Sequence, residues 1–248
     1  MSSKTRQRKA QRELQRKRQQ QMYIVIGIVI VAIVAVVLVA FSSQPLAGPV
    51  DAALANRYEG IERGVTDEGF PVLGSPDAPV EIAEYSAFTC PHCADFHDNQ
   101  FAQLLDDIRA GQVRFVYVPV NLSQGTVPAT AAGFCAAEQG RFWEMHDALF
   151  GWLRQYGGAA YAQARLIAGA QELGMDTDAF SACLNSEETR QKMDAADTAF
   201  RDLIQQYEQV TGTPTLTFNG EPPEFGSGGP SIDYIRQRIA ELSGQAGS

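Results

Sequence analysis

Residues 22–41 read MYIVIGIVIVAIVAVVLVAF, 20 positions without a charge. A helix of that length rises about 30 Å, the thickness of a bilayer's hydrocarbon core. It has no polar face, so the pattern predicts one transmembrane helix rather than a surface helix. Residues 42–74 are rich in Ser, Gly, Pro and Ala, show little periodicity, and are expected to form a stalk or linker. The turn cluster Gly74-Ser75-Pro76-Asp77-Ala78-Pro79 follows. Residues 80–88 (VEIAEYSAF) have strand character. Over 91–109, Phe96, Phe101, Leu104, Leu105 and Ile108 recur at helical spacing before Gly111, which predicts a helix. Residues 112–120 (QVRFVYVPV) form a β-branched and aromatic run, a second strand. Strand, helix and strand at these lengths make a βαβ unit.

A helical region is expected from about 126 to 210. Its pieces are an Ala-rich segment at 129–138, one marked by Phe142, Met145, Leu149, Phe150 and Leu153, and three more at 159–173, 176–185 and 187–210. Breaks fall near Gly157-Gly158, Gly174 and Asn185-Ser186. Then come Gly212-Thr213-Pro214, a strand at 215–219, a turn at Asn219-Gly220 and a helix over about 231–242 with Ser231 as N-cap. Residues 244–248 are expected to be a flexible tail. The alternation of strands and helices makes the body, 75–243, an α/β domain. Trp143, Trp152, Phe142 and Phe150 are expected in its core, and Glu187-Glu188 on a solvated helix face.

Charge sharpens the membrane reading. The net charge of −9 divides into +7 over residues 1–21 and −16 over the rest. An acidic body speaks against a nucleic-acid protein, which needs clustered positive charge. The basic arm (Lys4, Arg6, Arg8, Lys9, Arg12, Arg16, Lys17 and Arg18) directly precedes the apolar run. The positive-inside rule keeps such an arm, residues 1–21, in the cytoplasm and sends everything after the run across the membrane. A cleaved signal peptide is the alternative, with Pro45-Leu46-Ala47-Gly48 as a poor cleavage site. Its apolar stretch is normally about 7–15 residues, shorter than this one, so an uncleaved anchor is expected. The body then lies where disulfides persist, and all four cysteines, Cys90, Cys93, Cys135 and Cys183, belong to it.

Cys90-Pro91-His92-Cys93 stands where a strand runs into a helix. Pro91 suits the first helical position, where its missing N–H costs nothing. Free N–H groups and the positive end of the helix dipole then face the Cys90 sulfur and favour its thiolate. Stabilising the thiolate stabilises the dithiol over the disulfide, so the disulfide becomes an oxidant. His92 adds N–H donors, and positive charge when protonated. Cys90, at the exposed helix start, is the attacking or attacked sulfur, and Cys93, one turn in, is the resolving one. A CxxC can also be half a zinc site, yet no second CxxC or metal-spaced His pair occurs. Cys90, Cys93 and His97 could hold copper or zinc together, the reading of a metal-binding module or metallochaperone; otherwise His97 is a solvated residue of the first turns.

Phe88-Thr89-Cys90-Pro91-His92-Cys93 after a strand, a βαβ unit, a helical insertion and Gly212-Thr213-Pro214 before a strand resemble the DsbA-like thiol:disulfide oxidoreductases of the thioredoxin fold. GSPDAPVEI before the catalytic strand and CAAEQGRFWEMHDALF in the insertion resemble them too. The resemblance covers roughly residues 70–243. It implies a thioredoxin-like α/β fold with a helical insertion, here preceded by one transmembrane helix. It further implies a cis peptide at Thr213-Pro214 facing the CxxC, an acid beneath the active site at Glu84 that is a candidate proton relay to Cys93 (otherwise an outward-facing strand residue), and no cofactor beyond the Cys90–Cys93 disulfide. Members with a second disulfide in the insertion suggest a structural bridge between Cys135 and Cys183. The implied activity is oxidation of cysteine pairs in exported proteins, with reoxidation by a membrane partner of the DsbB or vitamin-K-epoxide-reductase type. A reductase or isomerase on the same fold is the nearest alternative.

Overall fold

The computed structural model describes residues 16–19, 21–35, 48–50 and 56–246. Two units result. The first contains helix α1, Arg16–Ala35, which is long and apolar enough to cross a membrane by length and composition. The expected span of 22–41 coincides with it as far as residue 35; residues 36–41, the arm before Arg16 and residues 42–47 and 51–55 of the expected stalk lie outside the described residues.

The second unit is built on a five-stranded sheet: β1 (Arg63–Val65), β2 (Pro71–Leu73), β3 (Val80–Ser86), β4 (Val113–Pro119) and β5 (Thr215–Phe218). The spatial order is β1-β2-β4-β3-β5. β3 and β4 are parallel, with Glu84 beside Tyr117; β5 runs antiparallel to β3, and β2 antiparallel to β4. The chain between β3 and β4 forms α2 (Pro91–Phe96), a π-helical turn (His97–Phe101) and α3 (Ala102–Arg109). The pattern predicted one unbroken helix here. The π turn widens the spacing so that Phe96 and Phe101, five positions apart, are both buried together with His97.

The stalk expectation needs correction. Of the residues between 42 and 74 that are described, most belong to the body. β1 and β2 form an antiparallel hairpin that extends the sheet, and Tyr58, Ile61, Phe70 and Leu73 are buried in its cores. Pro49 O accepts a hydrogen bond from Trp152 Nε1 at 2.8 Å. Strands of three residues are too short to show an alternating pattern, and all of β1 is exposed.

Five helices fill the chain between β4 and β5: α4 (Val127–Glu138), α5 (Phe142–Tyr156), α6 (Gln163–Glu172), α7 (Thr177–Cys183) and α8 (Glu187–Gln206). The interior of α4 is Ala-rich because it is enclosed; a Cβ on Gly133 would lie 3.1 Å from the Phe142 ring. α7 starts at Asp176, whose carboxylate accepts from the N–H of Asp178 and Ala179, both at 2.9 Å. α8 starts at Ser186, whose Oγ accepts from Thr189 N–H at 3.0 Å. From there Thr189, Met193, Ala196, Phe200 and Leu203 form the buried stripe. Glu187 and Glu188 lie on the exposed face, and Trp143, Trp152, Phe142 and Phe150 are core residues, as expected. α9 (Ile232–Ala246) reaches into the stretch expected to be a flexible tail; residues 247–248 lie outside the description.

Cys135 of α4 and Cys183 of α7 are joined by a disulfide with 48 residues of sequence separation. In the chain-entropy picture a loop of that size stabilises the fold by about 4 kcal/mol. The double variant Cys135→Ala/Cys183→Ala is expected to lose about that much in urea titrations of the non-reduced protein, and a loss below about 1 kcal/mol would contradict a stabilising bridge.

Candidate active site

The site begins at the corner where β3 gives way to α2. Phe88 is fully buried, with Phe150 and Tyr117 ring centroids at 5.1 and 5.4 Å. Its carbonyl accepts a hydrogen bond from Tyr161 Oη. Thr89 Oγ1 lies 2.7 Å from Thr126 Oγ1, just ahead of α4. These ties fix the last residues before the CxxC. Cys90 is the N-cap of α2, with extended dihedrals (φ −90°, ψ 118°), and Pro91 follows at the first helical position. The next turn carries Cys93 inward. Cys90 is partly exposed, Cys93 is buried, and both are in the thiol form. Ala87 N–H points at Cys93 Sγ from 3.5 Å.

The two sulfurs are driven apart in acidity. Cys90 is lowered to about 5, first by the hydrogen bond that the Cys93 thiol donates to it; partial burial opposes this, and the Thr213 side chain and the N–H groups of Cys93 and His92 reinforce it. The helix start therefore contributes as expected but is not the leading cause. Cys93 is pushed far up by burial, then by its bond to Cys90 and by the charge of Glu84. Glu84 is 1% exposed. Burial raises it to about 8, the Ser86 hydroxyl opposing and the Cys90 charge adding.

The peptide bond between Thr213 and Pro214 is cis. Thr213 O faces Cys90 Sγ at 3.4 Å and accepts from its S–H. Ser227, which sequence reasoning missed, holds this loop. Its Oγ accepts from Thr211 N–H at 2.7 Å and Gly212 N–H at 2.8 Å, and lies 3.0 Å from Thr215 Oγ1. Gly228 N–H donates to Pro214 O at 2.7 Å. Gly226, at φ +71°, passes so close to Gln209 that a Cβ would lie 1.8 Å from its carbonyl oxygen. Between this strap and α2 runs a groove of about 320 Å³, lined by His92, Asp95, Phe96, Gln100, Thr213, Gly228 and Gly229. Two of its lining residues, His92 and Thr213, flank Cys90.

His97 does not join the cysteines. It is 4% exposed, stacks on Phe101 and Phe150, and pairs through Nε2 with Asp147 Oδ1 at 3.2 Å. Among the described residues, the converging set of metal-capable side chains is His97, His146 and Asp147, without Cys90 or Cys93. The metal-binding alternative built on Cys90, Cys93 and His97 is thereby overturned, and so is the picture of His97 as solvated. The π turn and the aromatic core claim the imidazole. No periodicity signal marked this, because a single polar residue on a helix looks solvated unless its partner on another element is known.

A family model described as thioredoxin matches residues 66–224. A Na(+)/H(+) antiporter NhaA 3 of Salinispora tropica is 30% identical over 181 residues, covering 68% of this chain and 26% of that protein, so the chain spans about a quarter of that relative's length. Disulfide bond formation protein D of Bacillus subtilis is 34% identical over 87 residues, 34% of this chain and 39% of that protein. The crystal structure of alpha-DsbA1 from Wolbachia pipientis superposes with a TM-score of 0.62 at 22% identity, covering 73% of this chain and 94% of that one; this is a likeness of fold.

Two predictions follow from the geometry. Alkylation of Cys90 in the reduced protein is expected to follow thiolate formation, with its midpoint near pH 5. A depressed thiol adds stability to the reduced form above its unfolded pKa, and that contribution is lost as pH falls through 5. Glu84 acts oppositely: its contribution is full below the ordinary carboxylate range and is lost as pH rises through about 8. A midpoint above pH 8 for Cys90 would refute the assignment. Ser227→Ala, which removes the acceptor for two backbone N–H groups, is expected to cost about 1–3 kcal/mol in denaturant titration; a neutral result would show that the loop is held by other contacts.

Proposed function

The chain belongs to the thioredoxin family, and on that premise we propose that it is a membrane-tethered thiol:disulfide oxidoreductase that oxidises cysteine pairs in exported proteins. The observation that carries this reading is the divergence of the two sulfurs, with Cys90 lowered to about 5 at the groove and Cys93 buried and raised beneath it. A low-pKa thiol is a good leaving group, and it stabilises the dithiol product, so the disulfide form is an oxidant.

In the proposed cycle a substrate thiolate attacks Cys90 Sγ of the Cys90–Cys93 disulfide. The S–S bond breaks and its electron pair goes to Cys93, which takes up a proton. Glu84, protonated below about pH 8, is the group from which that proton comes. A second substrate thiolate then attacks the substrate sulfur of the mixed disulfide, and Cys90 departs as thiolate. The substrate has lost two electrons and the enzyme has gained them. The Thr213–Pro214 backbone is the edge along which the substrate chain lies, and His92 and Pro91 shape the entrance.

The apolar helix α1, with Arg16, Lys17 and Arg18 at its start, supports an anchor with its basic end in the cytoplasm and the redox domain outside. Disulfide chemistry fits that compartment. Continued turnover requires a membrane partner that accepts the two electrons from Cys90 and Cys93, of the DsbB or vitamin-K-epoxide-reductase type.

Equilibration of the protein with glutathione redox buffers tests the direction. The expected potential lies closer to DsbA's roughly −120 mV than to thioredoxin's roughly −270 mV, two fold relatives used as yardsticks. A value at or below that of thioredoxin would make the chain a reductase.

A further inference from the structure

Three buried side chains meet under the π turn: His97 from the turn itself, and His146 and Asp147 from α5. His97 Nε2 is 3.2 Å from Asp147 Oδ1, and His146 Nδ1 is 3.6 Å from the same oxygen. One donor atom of each side chain lies within 4.8 Å of the other two. Zinc bonds of about 2.0–2.2 Å give tetrahedral edges of about 3.3–3.6 Å, close to the spacing of each imidazole nitrogen from the carboxylate oxygen.

A second observation is independent of that spacing. His97 Nδ1 and both nitrogens of His146 have no hydrogen-bond partner. His146 is fully buried, with the rings of Tyr117, Phe150, Trp143 and Phe142 centred 4.6, 5.0, 5.5 and 5.7 Å from its own. Aromatic rings cannot replace the water that an imidazole loses on burial, and orphaned buried polar atoms call for a water or an ion.

The outer contacts suit a ligating carboxylate. Asp147 Oδ2 accepts from Arg57 Nη1 at 3.1 Å, and Oδ1 accepts from Tyr58 Oη at 2.6 Å. The guanidinium thus takes one oxygen and leaves a lone pair of the other directed at the histidines. Two imidazoles and one carboxylate select a borderline transition metal over calcium or magnesium. We propose that His97, His146 and Asp147 bind one divalent zinc-class ion, a water completing its tetrahedron, at a site that joins the π turn behind the CxxC helix to α5. The proposal does not depend on the redox reading.

The test uses the full chain carrying Cys90→Ser/Cys93→Ser, so that thiolates cannot hold the metal, purified in detergent from zinc-supplemented medium. Elemental analysis is expected to give about one zinc per chain, as one site requires. Cobalt exchanged into the site should show the visible bands of tetrahedral nitrogen and oxygen ligation, and stripping the metal should lower the melting temperature. His146→Phe is expected to bind zinc at least about tenfold more weakly, a loss of the size typical for damaged metal sites. Should that variant not fold, His97→Asn makes the same measurement. Zinc content near zero with no thermal shift on adding Zn2+, or unchanged zinc in the folded variants, would overturn the site.

Discussion

One hydrogen bond organises the active site: the one that the Cys93 thiol donates to the Cys90 sulfur. It can form only because the two cysteines are one helical turn apart at the very start of α2, the outer one at the N-cap and the inner one buried. Each sulfur then alters the other in opposite directions. Cys90 gives up its proton while Cys93 keeps its own, and the anion on Cys90 makes Cys93 harder still to ionise. Both effects need a fixed geometry, since a thiol that can rotate away donates nothing. Much of the surrounding structure supplies that fixation: Phe88 locked in an aromatic cluster, Tyr161 on its carbonyl, Thr89 against Thr126, and the Ser227-braced loop that brings Thr213 to Cys90.

This division of labour explains the helical insertion. The central parallel pair and β5 place the CxxC and the cis-proline loop on one end of the sheet, but the corner between β3 and α2 is held largely by groups from outside the sheet. Thr126 lies just ahead of α4, Phe150 is in α5 and Tyr161 lies ahead of α6. The disulfide between Cys135 and Cys183 ties α4 to α7 within the same insertion. A buried cap over the second cysteine is thus maintained by elements far from it in sequence.

What the sequence made legible follows from the range of each interaction. The CPHC at a strand–helix junction, the proline pair Thr213-Pro214 and the apolar run before residue 36 rest on local chemistry or on motif resemblance, and the structure holds Cys90, Cys93 and Thr213 together. The β1–β2 hairpin was not legible because three-residue strands show no period, and Pro71 and Gly64 look like linker residues. Ser227 was not legible because a serine in a Gly/Pro-rich loop shows its role only when the N–H groups of Thr211 and Gly212 are seen pointing at it. His97 was misread for the same reason: its partner Asp147 is 50 positions away on another helix.

Glu84 shows how burial and charge cooperate. An ordinary carboxylate in its place would be ionised at neutral pH and would repel the Cys90 thiolate; the mutual repulsion is visible in the upward push that Cys90 gives Glu84. Burial removes the conflict. Between β4's Tyr117 and β5's Leu216, with 1% exposure, the acid stays protonated up to about pH 8. A neutral carboxylic acid under a thiolate can donate a proton without opposing the anion above it. The same desolvation would be a pure cost in an inert core, because it opposes ionisation of a group that would otherwise be solvated. At this position it leaves a neutral acid near the Cys90 anion, so the acid's depth in the sheet spares the exposed cysteine a second negative charge.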